Sequence, residues 1–340
     1  MKILITGGTG FLGRHIVWRL AELGHEVIFT GRQIAAADEV IALAKTPVRW
    51  LQIHHGSAER QLMQAAQGAD AIVHSAALSS PWGKYADFFS ANVTSTAEVL
   101  SACNAAEVQR LVHISTPSLY FDFSDRLNIG ELEPLPTPVN NYALTKAMAE
   151  KLVLQSAVPE RVILRPRAIF GAWDNTLMPR ILRVMREGSI PLMRGGQALL
   201  DVTYVENLVD AIMLSLTEPL PAAVQTYNVS NGDPQPLHKL LLQMSEAFAL
   251  PLRTRQLPWW LVSGLARTLE VAAKATHGRE PKITRYGAGV LAFSQTLDIS
   301  TIRRDLGYQP QVSIAEGMRR HAAWFATHTP DLATRVEARS

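Results

Sequence analysis

The first thirteen residues, MKILITGGTGFLG, constrain the fold more than any other stretch of the chain. A short apolar run from Ile3 to Ile5 predicts a buried strand. Gly7, Gly10 and Gly13 follow it, and then an apolar periodicity predicts a helix. In this order glycines let the backbone approach a pyrophosphate, and the start of the helix favours negative charge. The segment therefore predicts a dinucleotide-binding turn.

Strand and helix patterns alternate along the first half of the chain and again over residues 202–230. Strands that alternate with helices predict a parallel sheet, because each helix returns the chain to the edge from which the next strand starts. We therefore expect an α/β fold with a Rossmann-type, doubly wound parallel sheet of about seven strands. The further strands are predicted at residues 26–30, 48–54, 70–77, 111–116, 161–165 and 227–230.

The alternation weakens after residue 170, where mostly helical patterns take its place. This change predicts a dinucleotide-binding domain over residues 1–170, to which residues 201–231 return. A smaller, mostly helical C-terminal lobe is expected over residues 171–200 and 232–325. Ligands bind at the carboxyl ends of the strands in such sheets, so we expect this lobe to cover that edge and bind the substrate. Two segments of the lobe are predicted to be irregular, residues 188–197 and residues 282–298. Within the second segment, a short strand is expected near residues 295–298.

The composition argues against several functional classes. With 47% apolar and 19% charged residues the chain is typical of a globular protein, and its net charge of +3 without a basic run argues against a nucleic-acid partner. The single cysteine, Cys103, cannot form an internal disulfide and fits a reducing, cytoplasmic compartment. Without a second cysteine or an HExxH motif no metal site is expected. No apolar run reaches the ~20 residues of a membrane helix, so no integral membrane segment is expected.

The end of the second predicted strand bears on the choice of cofactor. NAD-binding sites of this kind usually carry an acidic residue there, which accepts hydrogen bonds from the adenosine ribose. Residues 29–33 contain no acid, and Arg32 offers a guanidinium that can pair with a 2′-phosphate. Arg14, just after the third glycine, can assist. We therefore expect NADP(H) to be favoured over NAD(H), unless Arg32 is simply a solvated surface charge.

Tyr142 and Lys146 lie one helical turn apart in the segment YALTK. A free tyrosine hydroxyl has a pKa of about 10. A nearby ammonium and a positive nicotinamide ring favour the phenolate and lower that pKa. Tyr142 can then exchange a proton with a substrate oxygen during hydride transfer. Ser115 and Thr116, at the end of a predicted strand, are placed to polarise that oxygen. The alternative is a packing tyrosine and a solvated lysine.

These features resemble the extended short-chain dehydrogenase/reductases. The matching segments span almost the whole chain and are TGGTGFLG, HSAA, HIST, YALTK, LRPRAIFG and VTYVENLVDA. The resemblance implies that Tyr142 is the acid and base and that Lys146 lowers its pKa and binds ribose. It also implies that Thr116 rather than Ser115 binds the reacting oxygen and that Pro166 contacts the nicotinamide. The remaining cofactor contacts are expected from Thr6, Gly7, Gly10, Phe11, Leu12, Gly13, Ala76 and Ala77.

Residues 81–100, with HISTPSLYF and LRPRAIFG, are similar to the 3β-hydroxysteroid dehydrogenase/isomerase branch of that family. Within the branch the pattern resembles bacterial 2-alkyl-3-oxoalkanoate reductases and decarboxylating sterol dehydrogenases. This implies hydroxyl–ketone interconversion on an apolar 3-hydroxy or 3-keto substrate, sterol-like or long-chain 3-oxoacid-like. Residues 257–269 include two adjacent tryptophans that can line an apolar pocket. The family often forms homodimers through the helices expected here at 95–106 and 142–154.

Two other functions stay open. A nucleotide-sugar epimerase would hold NAD tightly and would need a cation to clamp a diphosphate. The usual arginine is absent from residues 199–201, although Arg194 or Arg167 can serve. Sugar dehydration lacks its acid and base, because Pro117 and Ser118 occupy their places. A non-enzymatic NADP(H)-sensing protein would typically have lost the tyrosine–lysine pair, which this chain keeps.

Overall fold

A parallel sheet of seven strands forms the centre of the computed structural model, which describes residues 1–54, 56–275 and 280–328. The strands in the described residues, in chain order, are β1 (Lys2–Thr6), β2 (Glu26–Gly31), β3 (Arg49–Gln52), β4 (Ala71–His74), β5 (Arg110–Ile114), β6 (Arg126–Ile129), β7 (Glu160–Pro166), β8 (Ile169–Phe170), β9 (Ile190–Leu192), β10 (Leu199–Leu200), β11 (Thr203–Tyr204), β12 (Val224–Val229), β13 (Gln235–Pro236), β14 (Thr254–Gln256) and β15 (Gln295–Leu297).

Helices cover both faces of this sheet and make up much of the remaining described residues. They are α1 (Phe11–Glu22), α2 (Ile34–Leu43), α3 (Glu59–Ala65), α4 (Tyr85–Phe88), α5 (Ser95–Ala105), α6 (Asn141–Gln155), α7 (Met178–Glu187), α8 (Val205–Thr217), α9 (Leu237–Ala247), α10 (Trp259–Ala275), α11 (Arg285–Ala292), α12 (Ser300–Leu306) and α13 (Ile314–His328). A π-helical stretch, Phe89–Thr94, joins α4 to α5.

The strand order across the central sheet is β12-β7-β5-β4-β1-β2-β3. The inner strands are apolar along their length because helices bury both faces, α1, α2 and α8 on one side and α3, α5 and α6 on the other. From β1 the chain adds β2 and β3 on one side of the sheet and then β4, β5, β7 and β12 on the other. Because the helices after β1 and β4 run to opposite faces, a crevice opens between these two strands at their carboxyl ends. The predicted Rossmann-type fold is confirmed, and all seven of its strands lie at or within about three residues of their predicted places.

The C-terminal lobe has its own apolar core. The helices α7, α9 and α13 pack around Leu182, Leu241 and Phe325, and α10 and α11 meet at Val262 and Ala288. A short sheet in the order β13-β10-β15-β6 joins three strands of the lobe to β6 of the central domain. The pair β14-β9 lies within the lobe, and the pair β11-β8 lies within the central domain. Within the described ranges, none of the helices is both long enough and apolar enough to cross a bilayer.

Two segments that were expected to be irregular contain regular structure. Residues 282–298 hold α11, whose first turn is capped by the Thr284 hydroxyl accepting a hydrogen bond from Gly287 N at 2.9 Å. Residues 188–197 hold β9, which pairs in parallel with β14. The expectation was wrong because both elements are short and are stabilised by distant partners, which a local sequence pattern does not reveal.

A buried ion pair joins α6 to β7. Arg165 donates from Nε and Nη2 to the two carboxylate oxygens of Glu150, at 2.9 and 2.6 Å, and from Nη1 to the Tyr120 hydroxyl. The two charged residues are only 5% and 3% exposed. Lys146 and Tyr142 precede Glu150 by one and two turns of α6. The ion pair therefore sets the position of both residues against the sheet.

We expect Glu150→Gln to lower the free energy of unfolding by about 3 kcal/mol or more, because the Arg165 charge would stay buried without a counter-charge. Urea unfolding of the purified variant measures this loss. The control is Glu133→Gln, which removes the partner of Arg126 at a half-exposed position and should cost at most about 1 kcal/mol. Equal losses of unfolding free energy in the two variants would contradict a stabilising role of the buried Arg165–Glu150 ion pair.

Candidate active site

The glycine turn between β1 and α1 leaves no room for side chains. Gly7 has a φ of +72°, and a Cβ there would lie 2.8 Å from the Ala76 backbone. A Cβ on Gly13 would lie 2.1 Å from the Gly7 carbonyl oxygen, so α1 could not pack against the turn. Gly10 is exposed and keeps the outer side of the turn open. The backbone therefore fits the close approach of a dinucleotide pyrophosphate.

The predicted residues around this turn lie along one open edge. Phe11 and Leu12 begin α1, whose first turn holds no acidic side chain, so its N–H groups and dipole favour an anion. The Thr6 hydroxyl accepts a hydrogen bond from Ala76 N at 3.3 Å and so holds the end of β4 beside the end of β1. Ala77 follows on the exposed side. Small residues here leave space for a flat cofactor.

Tyr142 lies in the first turn of α6. The Asn140 side chain caps this helix by accepting a hydrogen bond from Ala143 N at 2.8 Å. Burial raises the pKa of Tyr142, and hydrogen bonding with Ser79 and Thr116 opposes that shift. The protein without cofactor therefore keeps the phenol protonated, next to a second hydroxyl that can bind the same substrate oxygen.

Lys146 lies one turn further along α6 and is 2% exposed. Its Nζ donates to the Ile114 carbonyl oxygen at 2.6 Å and lies 3.4 Å from His113 Nε2. Burial lowers the pKa of Lys146 to about 8, and the Glu150 carboxylate opposes the shift. Without the nicotinamide ring, burial outweighs the groups around the Tyr142 phenol, so the lowering of its pKa stays a prediction for the protein with bound cofactor.

A chain of hydroxyl groups leads away from Tyr142 under the lobe. Thr116 Oγ1 donates to Ser118 Oγ at 2.9 Å, and Ser118 Oγ lies 2.6 Å from the Tyr286 hydroxyl. Tyr142 lies at one end of this chain, next to the Thr116 hydroxyl, which lowers its pKa. Ser115 Oγ is buried and has no hydrogen-bond partner among the described residues. Of the two hydroxyls that end β5, Thr116 is therefore the one that faces Tyr142.

Three residues of this arrangement were missed by the sequence analysis, Ser79, Ser118 and Tyr286. The Ser79 loop is held against α6 by Asn92, which accepts from Leu78 N at 2.8 Å and donates to Thr145 Oγ1 at 3.0 Å. Tyr286 reaches the site from α11. The threonine cap of α11 was a visible signal for that helix, whereas nothing local links Ser79 to Tyr142.

The two arginines expected at the adenosine end have different surroundings. Arg32 follows β2 and is exposed, and its carbonyl oxygen accepts a hydrogen bond from Gln52 Nε2 at 3.0 Å. Arg14 is buried and donates to Glu39 at 2.6 Å and to the Thr9 carbonyl oxygen at 3.1 Å. Arg14 therefore braces the glycine turn against α2, and Arg32 keeps an accessible guanidinium at the end of β2.

The arginines considered for a diphosphate clamp also differ. Arg194 donates to both carboxylate oxygens of Asp125, at 2.8 and 2.6 Å, on the protein surface. Arg167 follows β7 directly and is buried beside an apolar pocket of about 100 Å³ in the lobe. The pocket lies between β10 and four helices and is lined by Arg167, Ala168, Phe170, Leu177, Met178, Ile181, Leu200, Asp201, Val202, Leu237, Leu240, Leu241, Met244, Val290, Leu291 and Met318.

Known proteins with similar sequences and folds extend this description. The chain is 34% identical over 335 residues to the 2-alkyl-3-oxoalkanoate reductase of Stenotrophomonas maltophilia, covering 94% of this chain and 98% of that protein. It is 30% identical to the 3-beta-hydroxysteroid dehydrogenase of Mycolicibacterium neoaurum, covering 93% and 89%. A solved UDP-glucose-4-epimerase from Stenotrophomonas maltophila with bound NAD shares the fold, with a TM-score of 0.78 at 19% identity, covering 97% and 99%.

The family model of the NAD dependent epimerase/dehydratase family matches residues 3–230. This range includes the glycine turn, the hydroxyl-ended strand β5, the tyrosine–lysine helix α6 and the whole central sheet. The chain therefore belongs to this family and is an enzyme of the extended short-chain dehydrogenase/reductase type.

Proposed function

We propose that the protein interconverts a ketone and a secondary alcohol on an apolar 3-keto or 3-hydroxy substrate, with NADP(H) as cofactor. The observation that carries this proposal is the placement of the Tyr142 phenol next to the Thr116 hydroxyl at the carboxyl edge of the sheet, with the buried ammonium of Lys146 one turn away. The relatives named as reductases and steroid dehydrogenases support the reaction type.

In this proposal some residues bind the cofactor, and Tyr142 transfers the proton. Gly7, Gly10 and the start of α1 would hold the pyrophosphate, and Lys146 and Pro166 would hold the nicotinamide riboside. A bound nicotinamide supplies or accepts the hydride at the substrate carbon. Tyr142 gives its phenolic proton to the ketone oxygen during reduction and takes one from the alcohol during oxidation. A raised pKa keeps Tyr142 in the acid form that reduction requires.

The walls of the lobe pocket support an alkyl-chain substrate. Apart from Arg167 and Asp201, they consist of aliphatic, methionine and phenylalanine side chains. An engineered cavity of about 150 Å³ in a protein core binds benzene, and the pocket described here holds about 100 Å³. It therefore accommodates the end of an alkyl chain, whereas a sterol ring system would require the surrounding helices to move apart.

The surroundings of Arg32 support NADP(H). The Glu39 carboxylate, on the helix that follows β2, is already paired with Arg14. It therefore cannot readily accept hydrogen bonds from ribose, while the exposed Arg32 can pair with a 2′-phosphate.

The epimerase alternative has one structural argument in its favour, the fold shared with NAD-bound sugar epimerases. The pairing of Arg194 with Asp125 argues against it, because this cation is already neutralised. The sensor alternative is less favoured, since the tyrosine–lysine helix is complete. We also expect a homodimer that forms through α5 and α6, since Leu144 and Leu154 of α6 are exposed. The buried, reduced thiol of Cys103 fits a location in the reducing cytoplasm.

Tyr142→Phe removes only the phenolic hydroxyl. We expect kcat for NADPH-dependent reduction of 3-oxodecanoate to fall by roughly 100-fold or more, because the proton donor is lost. The dissociation constant of NADPH, measured by fluorescence titration, should change by less than about twofold. Tyr85→Phe, which removes an exposed hydroxyl near α6, is the control. Retained turnover in Tyr142→Phe would remove this residue from the mechanism.

Lys146→Met separates chemistry from folding. Because burial lowers the pKa of Lys146 from 10.5 to about 8, the unfolded chain binds a proton between those pH values that the native chain lacks. The deprotonation of Lys146 should therefore raise the free energy of unfolding of the wild type between pH 8 and 10. Lys146→Met should lack this contribution, so its free energy of unfolding should rise less over the same range. At pH 7 the variant should be at least as stable as the wild type, yet nearly inactive. An active or strongly destabilised variant would indicate a structural lysine instead.

Arg32→Gln tests the cofactor preference. We expect NADPH to bind about tenfold more weakly, a loss of about 1.4 kcal/mol, with NADH binding unchanged. The control is Arg49→Gln, which removes the same charge from the amino end of β3, at the opposite edge of the sheet. Equal effects on NADPH and NADH would show that Arg32 does not contact a 2′-phosphate.

A further inference from the structure

The strongest unexplained feature of the described residues is the guanidinium of Arg167. The residue is 7% exposed, and its Nε has no hydrogen-bond partner. No ion pair within 4.0 Å involves it in residues 1–54, 56–275 and 280–328. Burial lowers the pKa of Arg167, although the nearby Asp201 and Tyr286 oppose that shift. A buried cation without a paired anion is costly, so the arrangement is typical of a site completed by a ligand.

Arg167 lies between the reacting hydroxyls and the apolar pocket. Its neighbour Tyr286 contacts Ser118, which is hydrogen-bonded to Thr116, and also interacts electrostatically with Tyr142. On the other side Arg167 lines the pocket. Helix α11 joins the two regions, since Tyr286 and Val290, one turn apart, reach the hydroxyl chain and the pocket respectively. A substrate whose oxygen is bound by Tyr142 and whose chain enters the pocket would therefore bring the groups next to its reacting carbon close to the guanidinium.

We propose that Arg167 binds the carboxylate of the substrate, so that the enzyme acts on the anion of a 3-oxo or 3-hydroxy carboxylic acid with an alkyl chain. This inference rests on the proposed function. In such an acid one carbon separates the carboxylate from the reacting carbon, which matches a cation close to the hydroxyl chain. The Tyr286 hydroxyl can donate a second hydrogen bond to the same carboxylate.

A carboxylate fits the position beside Arg167 better than a nucleotide diphosphate or a neutral substrate does. A nucleotide diphosphate carries two charges and a polar nucleoside, whereas Arg167 is a single cation next to apolar walls. A neutral ketone or hydroxysteroid would leave the guanidinium unpaired in the complex and would bury it further.

The test compares 3-oxodecanoate with its methyl ester, which has the same chain and ketone but no charge. For the wild type with NADPH we expect kcat/KM to favour the acid by at least 50-fold. In Arg167→Gln the acid-to-ester ratio of kcat/KM should fall at least 30-fold, and Arg167→Lys should recover part of it. The control is Arg194→Gln, which should keep the wild-type ratio because Arg194 is paired with Asp125 on the surface.

Binding gives a readout that does not need turnover. We expect calorimetry with NADP⁺ present to show that Arg167→Gln binds 3-hydroxydecanoate at least tenfold more weakly than the wild type. The variant should fold, with a Tm equal to or above that of the ligand-free wild type, because it lacks an unpaired buried charge.

The outcomes distinguish this inference from the proposed function. If the wild type reduces the acid and the ester equally well with NADPH, or if Arg167→Gln leaves their ratio unchanged, the reductase function stands and the role of Arg167 is overturned. A neutral 3-hydroxysteroid oxidised at least as well as 3-hydroxydecanoate would overturn it too. If the wild type turns over none of these compounds, the proposed function fails. Calorimetry then tests the carboxylate site separately, because equal binding of 3-hydroxydecanoate by the wild type and Arg167→Gln rejects that site.

Discussion

The buried pair of Arg165 and Glu150 fixes the helix that carries the candidate catalytic residues. It connects the end of β7 to α6 at a point where water cannot replace either partner. Because α6 is a rigid rod, fixing Glu150 also fixes Lys146 and Tyr142 above it on the same face. The loops that complete the site, after β4 and β5, then meet a tyrosine whose position they do not have to set.

Most of the fold and the centre of the site follow from local sequence patterns. The glycine turn, the alternation of strands and helices, and the spacing of Tyr142 and Lys146 each depend on neighbours within a few residues. Tyr286, Ser79 and the pairing of Arg14 with Glu39 depend on contacts between distant segments, and no spacing encodes them. The effect of burial on the pKa of Tyr142 is hidden in the sequence for a related reason, since the extent of burial is a property of the folded chain.

Three arginines illustrate how environment, rather than residue type, determines function. Arg14 is neutralised by Glu39 and braces the glycine turn, whereas Arg32 is solvated and free to meet a ligand. Arg167 is buried like Arg14, but it forms no ion pair within 4.0 Å among the described residues, and its Nε has no hydrogen-bond partner. A sequence shows three equivalent cations, and only the surroundings separate a structural brace from two candidate anion sites.

The proposed carboxylate site at Arg167 also has a consequence for the chemical stability of a bound 3-oxo acid. A 3-oxo acid loses carbon dioxide when negative charge moves from its carboxylate to its ketone oxygen, and hydrogen bonds to the ketone from Tyr142 and Thr116 promote that loss. A cation held against the carboxylate stabilises the charge where it begins and so raises the barrier to decarboxylation. With Arg167 in this position, the carbon skeleton would remain whole while the ketone is reduced.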